Sequence, residues 1–231
     1  MSQIHFIGGE KGGVGKSVVA RLMAQYCIDH ALLFRGFDTD ESHGALERFY
    51  TDYSAPVRVE SYASLDQLVE AAAAQECRVL VDLAAQTHSY LARWLSDSAL
   101  LESAGELGLS LCYWHVMDSG RDSVALLGRL LDTYGGKIPI VLVLNELRGE
   151  SFDILDDSPE NARAQALGLR RVRIRHLADA TMQKIDRYSA SFWAAVNATD
   201  RDLGALGLLE RQRVKVWLAR AFEEIGPVLR G

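Results

Sequence analysis

Short, continuously apolar runs alternate along the chain with longer stretches in which apolar residues recur every three to four positions. The runs fall at 4–7, 32–37, 78–83, 107–116 and 139–145, with a weaker one at 171–177. The periodic stretches fall at 17–30, 64–75, 87–96, 121–134, 159–168, 178–187 and 201–225. A run that is apolar throughout suits a strand buried on both faces, and a recurrence near 3.6 residues suits a helix with one face on a core. Their alternation predicts an α/β fold with a mostly parallel sheet flanked by helices on both faces. Ligands of such sheets bind beyond the carboxyl ends of the strands, so the residues that follow each run carry the functional information.

The first run leads into Gly8-Gly9-Glu10-Lys11-Gly12-Gly13-Val14-Gly15-Lys16-Ser17. A glycine-dense loop lets backbone N–H groups converge on phosphate oxygens, and a helix opening at Lys16 points its positive end at the same anion. In the general phosphate-loop pattern, Gly-x-x-x-x-Gly-Lys-Ser/Thr, the lysine reaches the β- and γ-phosphates and the hydroxyl ligates Mg²⁺. Lys16 and Ser17 fit those roles, with Gly12, Gly13, Val14, Gly15 and Val18 completing the cradle. The register departs from the strict pattern at its first glycine, where Glu10 stands, and the loop carries a second cation, Lys11.

The segment Lys11-Gly12-Gly13-Val14-Gly15-Lys16-Ser17 resembles the deviant Walker A loop of the ParA/MinD superfamily of dimerising ATPases. That resemblance implies the P-loop NTPase fold, ATP and Mg²⁺ as ligands, and a homodimer in the ATP-bound state. It also implies that Lys11 crosses the dimer interface to the partner's nucleotide, where a cation supplied in trans acts on transition-state charge as an arginine finger does. The plainer reading of Lys11 is a solvated lysine beside its own subunit's phosphates. Three further segments match the family's motifs. In Phe37-Asp38-Thr39-Asp40-Glu41, Asp38 would hold a Mg²⁺-bound water and Asp40 would orient the attacking water, although Glu41-Ser42-His43 departs from the usual continuation. In the run 78–83, Asp82 has the position of a Walker B carboxylate, and Gln86 just beyond is either a γ-phosphate sensor or a cap for the next helix. Asn145, closing the fifth run, would read the adenine edge, because an amide donates and accepts at once. Read without the family, Asp38, Asp40 and Asn145 are residues that turn or cap the chain.

Composition narrows the partners. The chain has 231 residues, 48% of them hydrophobic, enough for one large core and hence a single P-loop ATPase domain over 1–231. Its net charge of −6 gives no support to generic nucleic-acid binding, although DNA contact through a local patch stays open. Cys27, Cys77 and Cys112 form no paired motif, which disfavours zinc, iron–sulfur and disulfide frameworks and points to a reducing cytoplasm. No charged-then-apolar leader opens the sequence, and no apolar stretch approaches the length of a membrane span.

Two segments have competing readings. The arginines of 170–175 form either a phosphate-contacting patch or the outward face of an edge strand with Val172, Ile174 and Leu177 inward; the alternation favours the strand. The last helix carries Leu208, Leu209, Val214, Trp217, Leu218, Ala221, Phe222 and Ile225 at helical spacing. Its glutamates dilute its cations, which favours core packing over a membrane anchor, and Gly226-Pro227 is expected to end it. Within the superfamily, the loop together with Gly36-Phe37-Asp38-Thr39-Asp40 looks most like small ATPases encoded with plasmid transfer and mobilisation genes. The resemblance therefore implies a positioning or regulatory ATPase with an activating protein partner. A nucleotide-gated adaptor with negligible hydrolysis is the alternative, and a metabolic ATP-dependent enzyme is disfavoured, because neither switch segment carries a cluster cysteine.

Overall fold

A computed structural model describes residues 1–40, 44–199 and 206–231; Glu41, Ser42 and His43, which follow the Asp38–Asp40 motif, and the first part of the expected last helix lie outside the described residues. In chain order the elements are β1 (Ser2–Gly8), α1 (Lys16–Asp29), β2 (Phe34–Asp38), α2 (Ala45–Phe49), β3 (Ser54–Pro56), α3 (Tyr62–Ala74), β4 (Arg78–Asp82), α4 (His88–Asp97) and α5 (Leu100–Ser103). There follow β5 (Leu109–Met117), α6 (Arg121–Tyr134), β6 (Ile140–Asn145), α7 (Asp153–Asp156), α8 (Pro159–Ala166), β7 (Arg170–Ile174), α9 (Asp179–Arg187), α10 (Phe192–Asn197) and α11 (Leu208–Leu229).

The strands form one sheet in the order β3-β2-β4-β1-β5-β6-β7, with every pair parallel. Period-two side-chain alternation splits the strand residues between two cores. Ile4, Phe6, Val79, Val81, Leu142 and Leu144 face α3, α4, α6, α7 and α8. Ile7, Leu80, Trp114, Val141, Val143 and Val172 face α1, α2, α9, α10 and α11. Burial on both faces explains why the central strands read as continuous apolar runs.

The expected edge strand is present as β7, with Val172 and Ile174 buried and the arginines exposed. The other edge, β3, is three residues ending in Pro56, too short to register as an apolar run. Two expectations for the last helix fail. It runs through Pro227 to Leu229, because a proline this close to the end forfeits little of the helix's bonding, and Gly226 still accepts the Arg230 N–H at 3.1 Å. Gly226 serves an approach between helices instead of a stop: a Cβ there would lie 2.7 Å from the Tyr26 hydroxyl on α1. Leu208 and Leu209, read as part of the apolar face, stand exposed in the first turn, whereas Val214, Trp217, Leu218, Ala221 and Ile225 pack inward. Among the described residues, no helix is long and apolar enough to cross a membrane.

Candidate functional site

Parallel pairing brings the carboxyl ends of β2, β4, β1, β5 and β6 to one rim of the sheet. Ile7 is register partner to Asp82, and Asp82 to Asp38, so the loop after β1 opens beside two adjacent strand-end carboxylates. A cleft of 310 Å³ results, lined by Gly12, Gly13, Gly15, Lys16, Ser17 and Val18 on one side and by Asp38, Asp40 and Asp82 on the other. Gly15 caps α1 at φ 92°, a left-handed conformation that costs glycine nothing, and the Asn145 side chain packs where its Cβ would be. The first turn of α1 carries no acidic residue, which leaves its positive end open to an anion.

Lys16 is buried, and its ammonium donates to the Lys11 carbonyl at 3.1 Å. Burial pulls its pKa below the ordinary value, against the opposing pull of Asp82, Glu10 and Asp40. Asp38 accepts the N–H groups of Asp40 at 3.0 Å and Leu46 at 2.8 Å, so it also caps α2. Burial raises its pKa, and these N–H bonds work against the rise. Asp82 is 3% exposed; neither carboxylate oxygen makes a hydrogen bond of standard geometry, and the Ser17 hydroxyl and the Lys16 ammonium are the neighbours that favour its charged form. Burial, with Asp38 adding to it, pushes its carboxyl up to about 8.

Four of the expected residues stand apart from the cleft wall. Val14 is fully buried beneath the loop. Asn145 donates one amide N–H to the Val14 carbonyl at 2.8 Å and so supports the loop from behind. Lys11 turns away from the cleft to Asp118, with its ammonium 3.1 and 3.0 Å from the two carboxylate oxygens. Gln86 is exposed with φ +64° and does not line the cleft; the cap of α4 is Thr87.

Sequence reasoning missed the residues that organise this rim. Asp118 follows β5 as Asp38 and Asp82 end their strands, and the rule that found those two would have found it. Its side chain is 1% exposed and also accepts from Ser123 Oγ at 2.6 Å and the Gly120 N–H at 3.1 Å, while Arg148 Nε lies 3.5 Å away. Burial works to raise its pKa, but the bonds from Ser123, Lys11 and Gly120 prevail and hold it below the usual carboxylate range. Glu10, the departure from the strict loop pattern, accepts the His88 N–H at 3.0 Å. Thr87 turns its hydroxyl back to the Ala84 carbonyl at 2.9 Å, so Glu10 supplies the first bond to α4 and ties the loop to the segment after Asp82.

No protein-family model matches this sequence. Two Escherichia coli proteins called TraL are similar to it along nearly their whole length. One is 25% identical over 245 residues, covering 97% of this chain and 98% of its own. The other is 23% identical over 244 residues with the same coverage. Among solved structures, the septum site-determining protein MinD of Pyrococcus horikoshii, complexed with Mg-ADP, matches with a TM-score of 0.59 at 13% identity, covering 98% of this chain and 96% of that one. The cell division ATPase MinD of Pyrococcus furiosus matches at 0.53 and 18% identity, covering 99% and 100%. With a seven-stranded parallel sheet whose first strand feeds a Lys-Gly-Gly-Val-Gly-Lys-Ser loop, the chain shares the fold of these MinD structures.

Proposed function

We propose that this protein is a Mg-ATP-dependent switch that dimerises face to face across two nucleotides and separates when they are hydrolysed. The observation that carries the reading is the convergence of a glycine loop, a helix N-terminus, Lys16 and three aspartates in one cleft. Gly12, Gly13, Val14, Gly15 and Val18 form the cradle, Lys16 binds the β- and γ-phosphates, and Asn145 meets the base. Ser17, Asp38 and Asp82 are the residues that would hold Mg²⁺, directly or through its waters. The donor set fits that ion, since Asp82 is buried beside Ser17 with neither carboxylate oxygen satisfied by a hydrogen bond of standard geometry, and Mg²⁺ prefers few carboxylates with several waters. When bound, such an ion would supply positive charge that offsets the negative charge on the transferred phosphoryl group.

Asp40 orients the attacking water, and Lys11 reaches the partner's nucleotide after leaving Asp118. Hydrolysis without an activator is slow, roughly 10⁻⁴ to 10⁻² per second by analogy with other phosphoryl-transfer switches. The γ-phosphate then favours the dimer only while it is present. The full-length likeness to TraL and the resemblance to transfer- and mobilisation-associated ATPases support a role in positioning or regulating a plasmid transfer, mobilisation or partition apparatus in the cytoplasm, together with an activating protein partner.

Two substitutions separate the parts of this reading. Lys16→Ala should abolish Mg-ATP binding in calorimetry. Lys11→Ala should bind Mg-ATP normally and yield no ATP-dependent dimer; normal dimers in that variant would refute the role in trans.

A further inference from the structure

Strands β5 and β6 are neighbours, with Met117 paired to Leu144, so the segments that follow them leave the sheet side by side. The segment after β6 turns tightly, the Gly149 N–H donating to the Glu146 carbonyl at 3.2 Å. Arg173 on β7 holds both ends of this turn, donating to Glu146 Oε1 and to the Glu150 carbonyl, each at 3.0 Å. Arg148, inside the turn, is thereby presented to the phosphate loop. Its Nη2 lies 3.5 Å from where a Cβ on Gly13 would stand, and its Nε lies 3.5 Å from Asp118 Oδ2. It does not line the phosphate cleft itself.

The two oxygens of Asp118 are served unequally. Oδ1 accepts from Ser123 Oγ at 2.6 Å, from the Gly120 N–H at 3.1 Å and from the Lys11 ammonium at 3.1 Å. Oδ2 makes no hydrogen bond of standard geometry; among the described residues its cations are the Lys11 ammonium at 3.0 Å and Arg148 at 3.5 Å. When Lys11 leaves, Oδ1 keeps two donors and Oδ2 keeps only what Arg148 can offer. A carboxylate whose side chain is 1% exposed opposes the loss of its cation, because an unpaired buried charge is costly. Arginine is charged at every physiological pH. Closing from 3.5 Å to the roughly 2.7–2.9 Å of a charge-assisted bond takes a movement of less than about 1 Å.

We propose that Arg148 is a positioning residue for Lys11: its guanidinium closes on Asp118 Oδ2 as Lys11 crosses to the partner's nucleotide, so the carboxylate exchanges one cation for another. The inference rests on the role in trans proposed for Lys11 above and adds the group that lets Lys11 go. Arg148 acts through Asp118 and touches no nucleotide. Its side chain is 55% exposed and pairs with no other carboxylate among the described residues, so it is free to make the short movement required. The exchange also holds the start of α6 in place, because the carboxylate that Ser123 and Gly120 bind stays matched throughout. A two-fold symmetric dimer makes the exchange twice, once in each protomer.

The test titrates donor- and acceptor-labelled full-length protomers in Mg-AMPPNP and follows energy transfer. Arg148→Ala should weaken the dimer at least about tenfold, since each protomer then releases Lys11 from a carboxylate with no second cation. Arg148→Lys, which keeps the charge, should recover most of that loss. In the Asp118→Asn background, Arg148→Ala should change the dimer constant by less than about twofold, because no charge is left to exchange. A merely structural role would show in both backgrounds. The Arg148 side chain is more than half exposed, and matching circular-dichroism melts verify that the variants are folded. A wild-type dimer that Arg148→Ala leaves unchanged or tightens overturns the inference and leaves the switch itself standing. So does a loss of equal size in Asp118→Asn, which would put Arg148 on the partner's nucleotide. Absence of any AMPPNP-dependent dimer in the wild type sinks the switch reading first, and this inference with it.

Discussion

Replacing Asp118 with asparagine should tighten the ATP-bound dimer, and the structure gives the scale. The Lys11 ammonium sits 3.0 and 3.1 Å from the two Asp118 oxygens. At an effective dielectric of about 20, that separation corresponds to a gross attraction of about 5 kcal/mol. Asp118 is closed to direct solvent contact, but it lies at the rim of the sheet and the Lys11 side chain keeps 22% exposure, so screening and rehydration of the ammonium offset most of that figure. A net latch of about 1–2 kcal/mol remains. A two-fold symmetric dimer opens two latches, so the monomer–dimer constant shifts by about 2–4 kcal/mol, or about 30- to 1000-fold. Asparagine still accepts from Ser123 and Gly120, which keeps the start of α6 in place. The assay is energy transfer between donor- and acceptor-labelled protomers titrated in Mg-AMPPNP. A dimer constant that is unchanged or weaker in Asp118→Asn would refute the reasoning and would mean that Lys11 works from its seat on Asp118. The double variant Lys11→Ala/Asp118→Asn should show no gain.

Other consequences follow from single contacts. The Asp82 carboxyl is raised to about 8 against an ordinary value near 4, so its contribution to stability is full below the ordinary value and is lost as pH rises through about 8. Mg²⁺ has to displace that proton, so Mg-nucleotide affinity measured by calorimetry should rise with pH towards about 8, and Asp82→Asn should remove this dependence and raise the unfolding free energy of the nucleotide-free protein, measured by chemical denaturation, by about 2 kcal/mol. Gln86→Gly should stabilise the fold by about 1 kcal/mol in thermal unfolding, because φ +64° strains a side chain that is exposed. Glu10→Ala should cost about 1 kcal/mol and speed amide exchange in the first turn of α4, since the His88 N–H loses its acceptor; unchanged exchange would separate the loop from that helix.

What the sequence made legible was whatever a local pattern encodes. The central strands appear as apolar runs because both of their faces are covered, and Asp38, Asp82 and Asn145 stand out because each closes such a run. The loop is legible because its glycines and lysines are consecutive. What stayed hidden depends on contacts between distant positions. The Lys11–Asp118 pair joins residues 107 apart in sequence, and the Glu10–His88 bond joins residues 78 apart. Gly226-Pro227 reads locally as a stop, but the Tyr26 ring against Gly226 makes that glycine a packing residue inside the helix. Arg21 shows the same limit: it looks like a polar position on α1, yet it is 2% exposed, stacked over Phe49 and bonded to Asp186 at 2.8 Å.

The claim on which the rest depends is that a triphosphate in the cleft joins two copies of the chain. Size-exclusion chromatography with light scattering, run in Mg-AMPPNP and again in Mg-ADP, tests it most directly. The predicted masses are twice 25.5 kDa with the triphosphate analogue and 25.5 kDa with the diphosphate. A single 25.5 kDa species under both conditions, at a nucleotide concentration where calorimetry shows the cleft saturated, would contradict it.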